Sequence, residues 1–429
     1  MAASNRGPGK KSGLWGIKMD YKQSNFSSRL VIVVSGMVSR IPFQGGATWA
    51  ILQYLLGLDE MGHQVFFVDP ISPSSIRPCG SSLEASENAR YFREVNRDFG
   101  LFGKSALLLT GTKETVGLRY EALRLLVSRA DLLLNVSGAL RDDSLLEKIP
   151  LRAYLDLHPG FTQLWAEEQG VDTHFKGHNR FVTVGGSIGQ ADCTVPLCGK
   201  TWIPTLQPVV LSRWSVSEDI HHDSYTTVGN WRSNGSMRNN GAVYGQKAHA
   251  WREFMELPRL TGQLFSPALA IHPNEQGDLL ALKESGWRLL DPRKVSSTPT
   301  RYQEFIRQSR AEFSVAKSGY VLSRSGRFSE RSAAYLASGK PVITQDTGFS
   351  RHLPVGKGLF AFSTVEEAAD AVARVEKDYD LHRGAARRIA QEFFDSRKIL
   401  HRLLQNLENG VRVDRSQNNF PGFKTGIKS

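Results

Sequence analysis

The segment from Phe328 to Gly348 constrains the fold of this chain more than any other part of it. Ser329 can cap a short helix of alanines and one leucine, and Gly339 can end that helix. Residues 341–344 then read as a buried strand that runs into the tight turn 346–348. A loop of small and basic residues precedes the helix. Such a loop at a helix N-terminus suits a diphosphate, because free N–H groups and the helix dipole favour negative charge.

Strands and helices alternate along both halves of the chain, which is typical of parallel sheets covered by helices on both faces. In the first half the periodicity predicts strands at Leu30–Val34, Val65–Val68, Ala106–Leu109, Leu132–Asn135, Arg152–Leu155 and Phe181–Val184, with helices at Ala47–Leu58 and Tyr120–Ser128. In the second half it predicts strands at Thr226–Asn230, Ala268–Ile271, Trp287–Leu290 and Glu312–Ala316, and helices at Gln246–Met255, Asp278–Ser285, Arg301–Gln308 and Leu381–Leu407.

A length of 429 residues favours two domains. We therefore expect two Rossmann-like α/β domains that face each other across a cleft. We expect a basic N-terminal extension over 1–28, a first domain over 29–205, a linker over 206–222 and a second domain over 223–380. A helix over 381–408 then crosses back to the first domain, and a tail follows over 409–429. Met19 lies just before the first strand and is an alternative start.

The segment described first resembles the donor-binding half of two-domain nucleotide-sugar glycosyltransferases, which have the GT-B fold. In that family a helix, a small residue followed by Gly-x-Pro-Val, a strand and a Gly loop hold the nucleotide diphosphate and part of the sugar. Ser338–Val342 matches that stretch. A weaker resemblance to the glycogen-synthase-like branch spans residues 29–408. The family's ribose-binding Glu stands five residues before the Gly, where this chain has Ala334, and the nearest acid is Glu330.

The resemblance implies donor-binding residues on several loops. Arg232 and Lys247 stand at a strand end and a helix start, where the family has cations that neutralise the leaving diphosphate. The spacing between them is longer here, so Lys317 competes with Lys247 for this role. The full set of candidate diphosphate ligands is Arg232, Lys247, Lys317, Gly326, Arg331 and Ser332, and the candidates for ribose and sugar are Glu330, Asp346, Thr347 and Gly348.

Two loops of the first half also follow predicted strands. Gly45 and Gly46 leave no side chain between the backbone and a ligand, and the resemblance implies that their loop contacts acceptor or sugar. A simple tight turn is the alternative. Asp156 and His158 follow another strand, at the edge where open α/β sheets bind ligands. Either could act as the base for an acceptor hydroxyl, or His158 could contact the sugar; a structural histidine is the alternative.

The resemblance thus implies a metal-independent, hexosyltransferase-type glycosyltransferase without a cofactor, using a nucleotide-sugar donor and an unidentified acceptor. Three alternatives stay open: a nucleotide-sugar epimerase of the same fold, a non-catalytic nucleotide- or glycan-binding protein, and a serine hydrolase. The hydrolase would use Ser187, since Gly185–Gly189 fits the nucleophile-elbow pattern, although no helical pattern follows it.

The net charge of +12 is concentrated at the ends of the chain. Residues 1–29 hold six Lys or Arg and one Asp, and residues 411–429 hold four Lys or Arg and one Asp. This distribution argues against specific nucleic-acid binding. It favours a solvated face or contact with an acidic membrane surface. The three cysteines have no disulfide or zinc spacing, which indicates a cytoplasmic protein. Peripheral contact with the inner face of the membrane is the further option that the basic ends leave open.

Overall fold

The computed structural model describes residues 29–233, 235–239 and 241–409. The extension predicted over 1–28 and the tail from residue 410 lie outside the described residues. Among the described residues, no helix combines the length and apolar character needed to cross a membrane.

The first domain is built on one eight-stranded sheet. Its strands are β1 Val31–Ser35, β2 Gln64–Ile71, β3 Ser105–Leu109, β4 Thr115–Gly117, β5 Leu132–Val136, β6 Leu151–Asp156, β7 Arg180–Thr183 and β8 Trp202–Pro204. Its helices are α1 Gly45–Glu60, α2 Glu87–Phe99, α3 Tyr120–Val127, α4 Asp143–Leu146 and α5 Phe161–Gln169. The strand order is β4-β3-β2-β1-β5-β6-β7-β8, and every pair is parallel except β3 with β4.

The apolar runs occupy the centre of this sheet. Ile32 pairs with Val65 on one side and Leu132 on the other, and all three are buried. Continuous apolar strands fit here because helices cover both faces. The predicted closing strand is β7, but β8 pairs beyond it. Trp202 and Ile203 are buried in β8, a strand too short for its periodicity to show in the sequence.

The second domain has a five-stranded parallel sheet and a small hairpin. Its strands are β9 His222–Asn230, β10 Met237–Asn239, β11 Ala242–Tyr244, β12 Phe265–Ala270, β13 Ser309–Ser314, β14 Val342–Gln345 and β15 Leu359–Phe362. The helices are α6 Lys247–Trp251, α7 Leu257–Thr261, α8 Gln276–Glu284, α9 Pro292–Ser296, α10 Pro299–Arg307, α11 Ser318–Ser323, α12 Glu330–Ala337, α13 Val365–Lys377, α14 Tyr379–Ile389 and α15 Ser396–Glu408. The sheet order is β12-β9-β13-β14-β15.

Two predictions for this half are wrong. The strand predicted over Trp287–Leu290 is absent, and only Leu290 bridges to Ala268. Trp287 instead fills the core beside α7 and donates its indole N–H to the Met255 carbonyl at 2.9 Å. The helix predicted over Leu381–Leu407 is two helices, α14 and α15, joined by a π-helical turn at Ala390–Phe394.

This turn redirects the chain from the second domain to the first. Helix α14 packs on α12, whereas α15 packs on α1. Gly57 of α1 lets α15 approach, because a Cβ there would lie 2.6 Å from a methyl carbon of Leu400. The Arg180 side chain at the edge of β7 also donates to the Leu407 carbonyl at 3.3 Å. The last helix therefore ties the first domain to the second.

Candidate functional site

The carboxyl ends of the parallel strands of both sheets meet at the boundary between the domains. The loop after β6 carries His158, and its Nδ1 lies 3.3 Å from the hydroxyl of Tyr320 in α11. Just before α11, Lys317 places its ammonium 5.0 Å from the ring centroid of Phe161 in α5. The structure thus brings two of the predicted site residues, His158 and Lys317, to one point between the domains.

Asp156 shapes the loop that presents His158. Its carboxylate is fully buried and accepts hydrogen bonds from the His158 amide, Thr162, Gln163 and Thr183 at 2.8–3.0 Å. Burial raises its pKa and these donors oppose that shift. With both oxygens engaged inside the protein, Asp156 has no access to an acceptor hydroxyl. Its geometry is that of a positioning residue and not of the base suggested by the sequence.

His158 lies at the domain boundary, where part of its surface is accessible to solvent although protein atoms crowd around the ring. Desolvation by the surrounding protein, followed by the positive charges of Arg327 and Lys317, lowers its pKa to about 4. The imidazole is therefore neutral near pH 7 and can donate or accept a hydrogen bond. It is a weak base for removing a proton from a hydroxyl.

Arg327 links the loop before α12 to the first domain. Its guanidinium donates to the Leu157 carbonyl at 3.2 Å and to Glu330 at 2.9 Å, and it lies 4.8 Å from the Tyr320 ring centroid. Burial of Glu330 opposes its ionisation, but Arg327 and then Arg331 hold its pKa below the usual value. Glu330 Oε2 also accepts from Gln207 and from the Ser329 hydroxyl.

Lys247 and Arg331 lie deeper, beneath these residues. The Lys247 ammonium is buried and donates to the Val315 carbonyl. Arg331 donates to buried Glu312, to Ser314 and, at 2.8 Å, to the Val228 carbonyl. Burial lowers the pKa of Lys247 well below its usual value, and the charge of Arg331 adds to that effect.

We refer to Lys247, Lys317, Arg327 and Arg331 as the cation cluster. Glu312 pairs with Arg331 and Glu330 pairs with Arg327. No ion pair joins either lysine to a carboxylate within the described residues. Burial and the charge of Arg327 lower the pKa of Lys317 to about 8. The cluster thus carries more positive than negative charge in a poorly solvated place, and an added anion would relieve this imbalance.

Arg232 lies apart from these interactions. Its guanidinium forms a two-point contact with Glu275, and its Nη1 lies 3.4 Å from His249. The hydrogen bond to Glu275 is the largest cause of the raised pKa of Arg232. To reach a diphosphate the side chain must leave this carboxylate, so its predicted role stays a prediction.

Gly326 packs against the first domain. Its φ is +73°, and a Cβ there would lie 2.6 Å from the Ser187 hydroxyl. The Ser187 amide donates to the Ser325 carbonyl at 3.0 Å, and its hydroxyl lies 3.0 Å from His352 Nε2. Ser187 is fully buried and a turn follows it where a nucleophile elbow requires a helix. The geometry thus argues against a serine nucleophile and gives Gly326 an interdomain contact.

Several other predicted donor residues stabilise their own loops. Asp346 accepts from the Gly348 amide at 2.9 Å and from Ser350, and Thr347 donates to the Arg327 carbonyl. The amide of Arg331 donates to the Ser329 hydroxyl, and Ser332 is fully buried. The N-terminus of α12 is thus capped by its own chain.

Gly45 and Gly46 also meet the second domain. A Cβ on Gly45 would lie 2.2 Å from the Thr298 carbonyl oxygen, and one on Gly46 would lie 2.9 Å from the Tyr302 ring. Trp49 fixes the contact by donating to the Pro299 carbonyl at 2.8 Å. These glycines allow α1 to approach α10, which leaves no space for a ligand at Gly45.

Sequence reasoning missed three residues of this site as ligands or partners: Tyr320, Arg327 and Glu312. Arg327 belongs to the basic loop before α12, but its spacing does not distinguish it from its neighbours. Glu312 is an acid within a buried strand, and such a residue indicates a buried cationic partner. Tyr320 gives no local signal. Within the described part of the chain, no group of three or more His, Cys, Asp or Glu side chains could hold a metal ion.

Comparison with protein families agrees with this geometry. Residues 260–408 match the family described as glycosyl transferase-like. No curated protein sequence matches the chain. The matched region covers the second sheet from β12 onward, the cation cluster except Lys247, and both C-terminal helices.

Solved structures extend the likeness to nearly the whole chain. An alpha-glucosyltransferase in complex with UDP and a 13-mer DNA has a TM-score of 0.57 at 11% identity, covering 89% of this chain and 99% of its own. A glycosyltransferase involved in avilamycin A biosynthesis has a TM-score of 0.52 at 14% identity, covering 89% of this chain and 97% of its own. The pneumococcal O-GlcNAc transferase solved with UDP and GlcNAc has a TM-score of 0.52 at 9% identity, covering 89% of this chain and 99% of its own. The chain has the GT-B fold, and residues 260–408 are similar to the glycosyl transferase-like family.

Proposed function

We propose that this protein is a glycosyltransferase that takes a sugar from a nucleoside diphosphate donor and transfers it to an acceptor at the domain boundary. The observation that carries the proposal is the cation cluster, in which Lys247 and Lys317 have no carboxylate partner. It lies where the carboxyl ends of both parallel sheets meet, which is where open α/β sheets bind ligands. The GT-B fold and the glycosyl transferase-like match support the same reading.

In this proposal the cation cluster binds the diphosphate. Breaking the bond between sugar and diphosphate leaves additional negative charge on the departing phosphate oxygen. Lys317 and Lys247 stabilise that charge, and because they are fixed before the reaction they need no reorganisation at that moment. Arg327 holds Tyr320 and the Leu157 carbonyl in place and so keeps the two domains in register around the donor.

Neutral His158 contacts a sugar hydroxyl, and Asp156 keeps the His158 loop in position. Glu330 accepts a hydrogen bond from a ribose hydroxyl, the role predicted for this residue from the sequence. Orientation of the two substrates and stabilisation of the leaving group supply the catalysis, without a metal ion or an organic cofactor. The protein acts in the cytoplasm, at most peripherally on the inner face of the membrane.

Binding of nucleotides tests the donor site. UDP, GDP, ADP, TDP and CMP are added separately to the purified full-length chain, and thermal unfolding is followed. At a hundred times its Kd a nucleoside diphosphate stabilises the folded state by about 2.7 kcal/mol. We expect UDP or GDP to give this shift and CMP to give less. A folded sample that responds to none of them at millimolar concentration contradicts the proposal.

Substitution of Lys317 tests the cation cluster. Lys317→Met removes one of the two lysines without a carboxylate partner, so it should weaken UDP binding by roughly tenfold, as expected for loss of one charged contact. Lys283→Met is the matched control, because Lys283 is an exposed lysine of the same domain. Arg232→Ala should weaken UDP less than Lys317→Met, since Glu275 holds its guanidinium. Isothermal titration compares the three, and a larger loss in Arg232→Ala would show that Arg232 is recruited when donor binds.

A further inference from the structure

Buried polar side chains clamp three loops at the carboxyl edge of the first sheet. Asp69 of β2 accepts from the amides of Val38 and Ser39, at 3.2 and 2.8 Å. Asn135 of β5 binds both the amide and the carbonyl of Leu140, at 3.0 and 2.9 Å. Asp156, described above, holds the third loop.

Each clamped loop presents an exposed basic residue. Arg40 follows Ser39, Arg141 follows Leu140, and His158 is itself clamped through its amide. Asp69, Asn135 and Asp156 are fully buried, and burying a polar side chain has a desolvation cost that its hydrogen bonds must offset. These hydrogen bonds satisfy backbone groups of the loops, and they also fix the position of the basic residue on each loop.

The three loops lie side by side. Strands β1, β5 and β6, which precede them, are consecutive in the sheet. Neighbouring strands are about 4.8 Å apart, so the loops start within roughly 10 Å of one another. The row ends at His158, which adjoins Lys317 and Arg327 of the cation cluster.

Neither Arg40 nor Arg141 forms an ion pair with a carboxylate among the described residues. Asp172 contacts His174 Nδ1 at 3.1 Å, and Asp142, which follows Arg141 in the chain, accepts from the Tyr120 hydroxyl at 2.7 Å. Both carboxylates remain negatively charged, but neither forms an ion pair with Arg40 or Arg141. Burial lowers the pKa of Arg141; Asp172 opposes this, and the charge of Arg40 adds to it. The fields of the two arginines therefore overlap, and one anion could interact with both.

We propose that this edge of the first domain binds the acceptor, and that the acceptor is a sugar bearing an anionic group, either a phosphate or a carboxylate. Arg40 and Arg141 bind the anionic group, because guanidinium groups match both anions with paired hydrogen bonds. His158 is then close to the hydroxyl that receives the transferred sugar. This inference rests on the glycosyltransferase function proposed above.

The test uses the full-length chain and three defined probes: glucose, glucose 6-phosphate and glucuronate. Their affinities are measured by isothermal titration in the presence of saturating UDP. Wild type should bind glucose 6-phosphate or glucuronate more tightly than glucose. The anionic sugar that binds more tightly shows whether the acceptor carries a phosphate or a carboxylate. In the Arg40→Ala, Arg141→Ala double variant the affinity for that anionic sugar should fall roughly tenfold or more, while the affinities for glucose and UDP stay unchanged.

Arg129→Ala is the matched control, since Arg129 is an exposed arginine that lies just before β5, at the opposite edge of the sheet. Equal affinity of wild type for all three sugars would overturn the proposal. So would an undiminished anionic-sugar affinity in the double variant, an equal loss in Arg129→Ala, or binding of a DNA duplex in place of either anionic sugar. If wild type does not bind UDP, the donor site is rejected instead. The three sugars are then titrated without UDP, and the comparison between them still tests the anion site.

Discussion

The charged residues at the domain boundary owe their properties to their surroundings. Lys317 is one of many lysines in the sequence, yet burial and Arg327 lower its pKa to about 8. Asp156 looks like a catalytic acid in the sequence, but four hydrogen-bond donors engage it inside the domain. A residue type and its position after a strand locate such groups, whereas burial and neighbouring charges decide what they can do.

The pKa of Lys317 predicts how nucleotide binding depends on pH. A lysine with a lowered pKa is charged below that value and neutral above it, so the affinity for UDP should decrease as the pH rises through about 8. Between pH 7 and pH 9 the loss should be about tenfold if only the charged lysine binds. Titration calorimetry at several pH values checks this.

Lys317→Arg supplies the control for that measurement. Arginine stays charged over the whole range, so this variant should bind UDP with little change between pH 7 and pH 9. A variant that retains the full wild-type pH dependence would assign the titrating group to another residue, with Lys247 the first candidate.

Among the helices, α15 shows how one element can join two domains. It is amphipathic, and Leu400, Leu403 and Leu407 are buried on one face. That face packs on α1 of the first domain, although α15 follows a helix of the second. The apolar spacing predicts the helix, but the π-helical turn at 390–394 determines which domain it reaches.

Leu400→Ala should therefore destabilise the whole protein. Leu400 is fully buried beside Gly57, and truncating a buried leucine costs about 2–5 kcal/mol. Leu381→Ala in α14 is the control, because Leu381 is 41% exposed and its loss should cost less than about 0.5 kcal/mol. Denaturant unfolding of the two variants gives the comparison. Equal stabilities would mean that the contact between α15 and α1 contributes little.

Across the molecule, the domains are closed on each other by a second set of contacts. Gly185 bridges to Arg327, the Thr194 amide donates to the Ser323 carbonyl at 3.1 Å, and Asp192 pairs with Arg351. Together with Ser187 and Gly326, they join one loop segment of the first domain to the loops around the cation cluster.

Gly326→Val should impair this closure. The new side chain would collide with Ser187 of the first domain, and valine is strained at φ +73°. Because all four residues of the cation cluster belong to the second domain, we expect transfer to fall by roughly tenfold or more while UDP affinity changes less. Gly262→Val imposes similar strain at φ +66° without any neighbour within 4 Å. An equal loss of transfer in this control would show that backbone strain, and not domain closure, is responsible.

The sequence contained the alternation of strands and helices and the two-domain division of the fold. These follow from periodic burial and from turn residues, which act over a few neighbouring positions. It did not contain the partners of the site residues. Ser187 meets Gly326, Glu312 meets Arg331 and Gly45 meets Thr298 only because the folded chain brings distant segments together. Such contacts depend on distance in space, so glycines that resembled ligand loops became packing contacts, and two lysines came to lie at the domain boundary without a carboxylate partner.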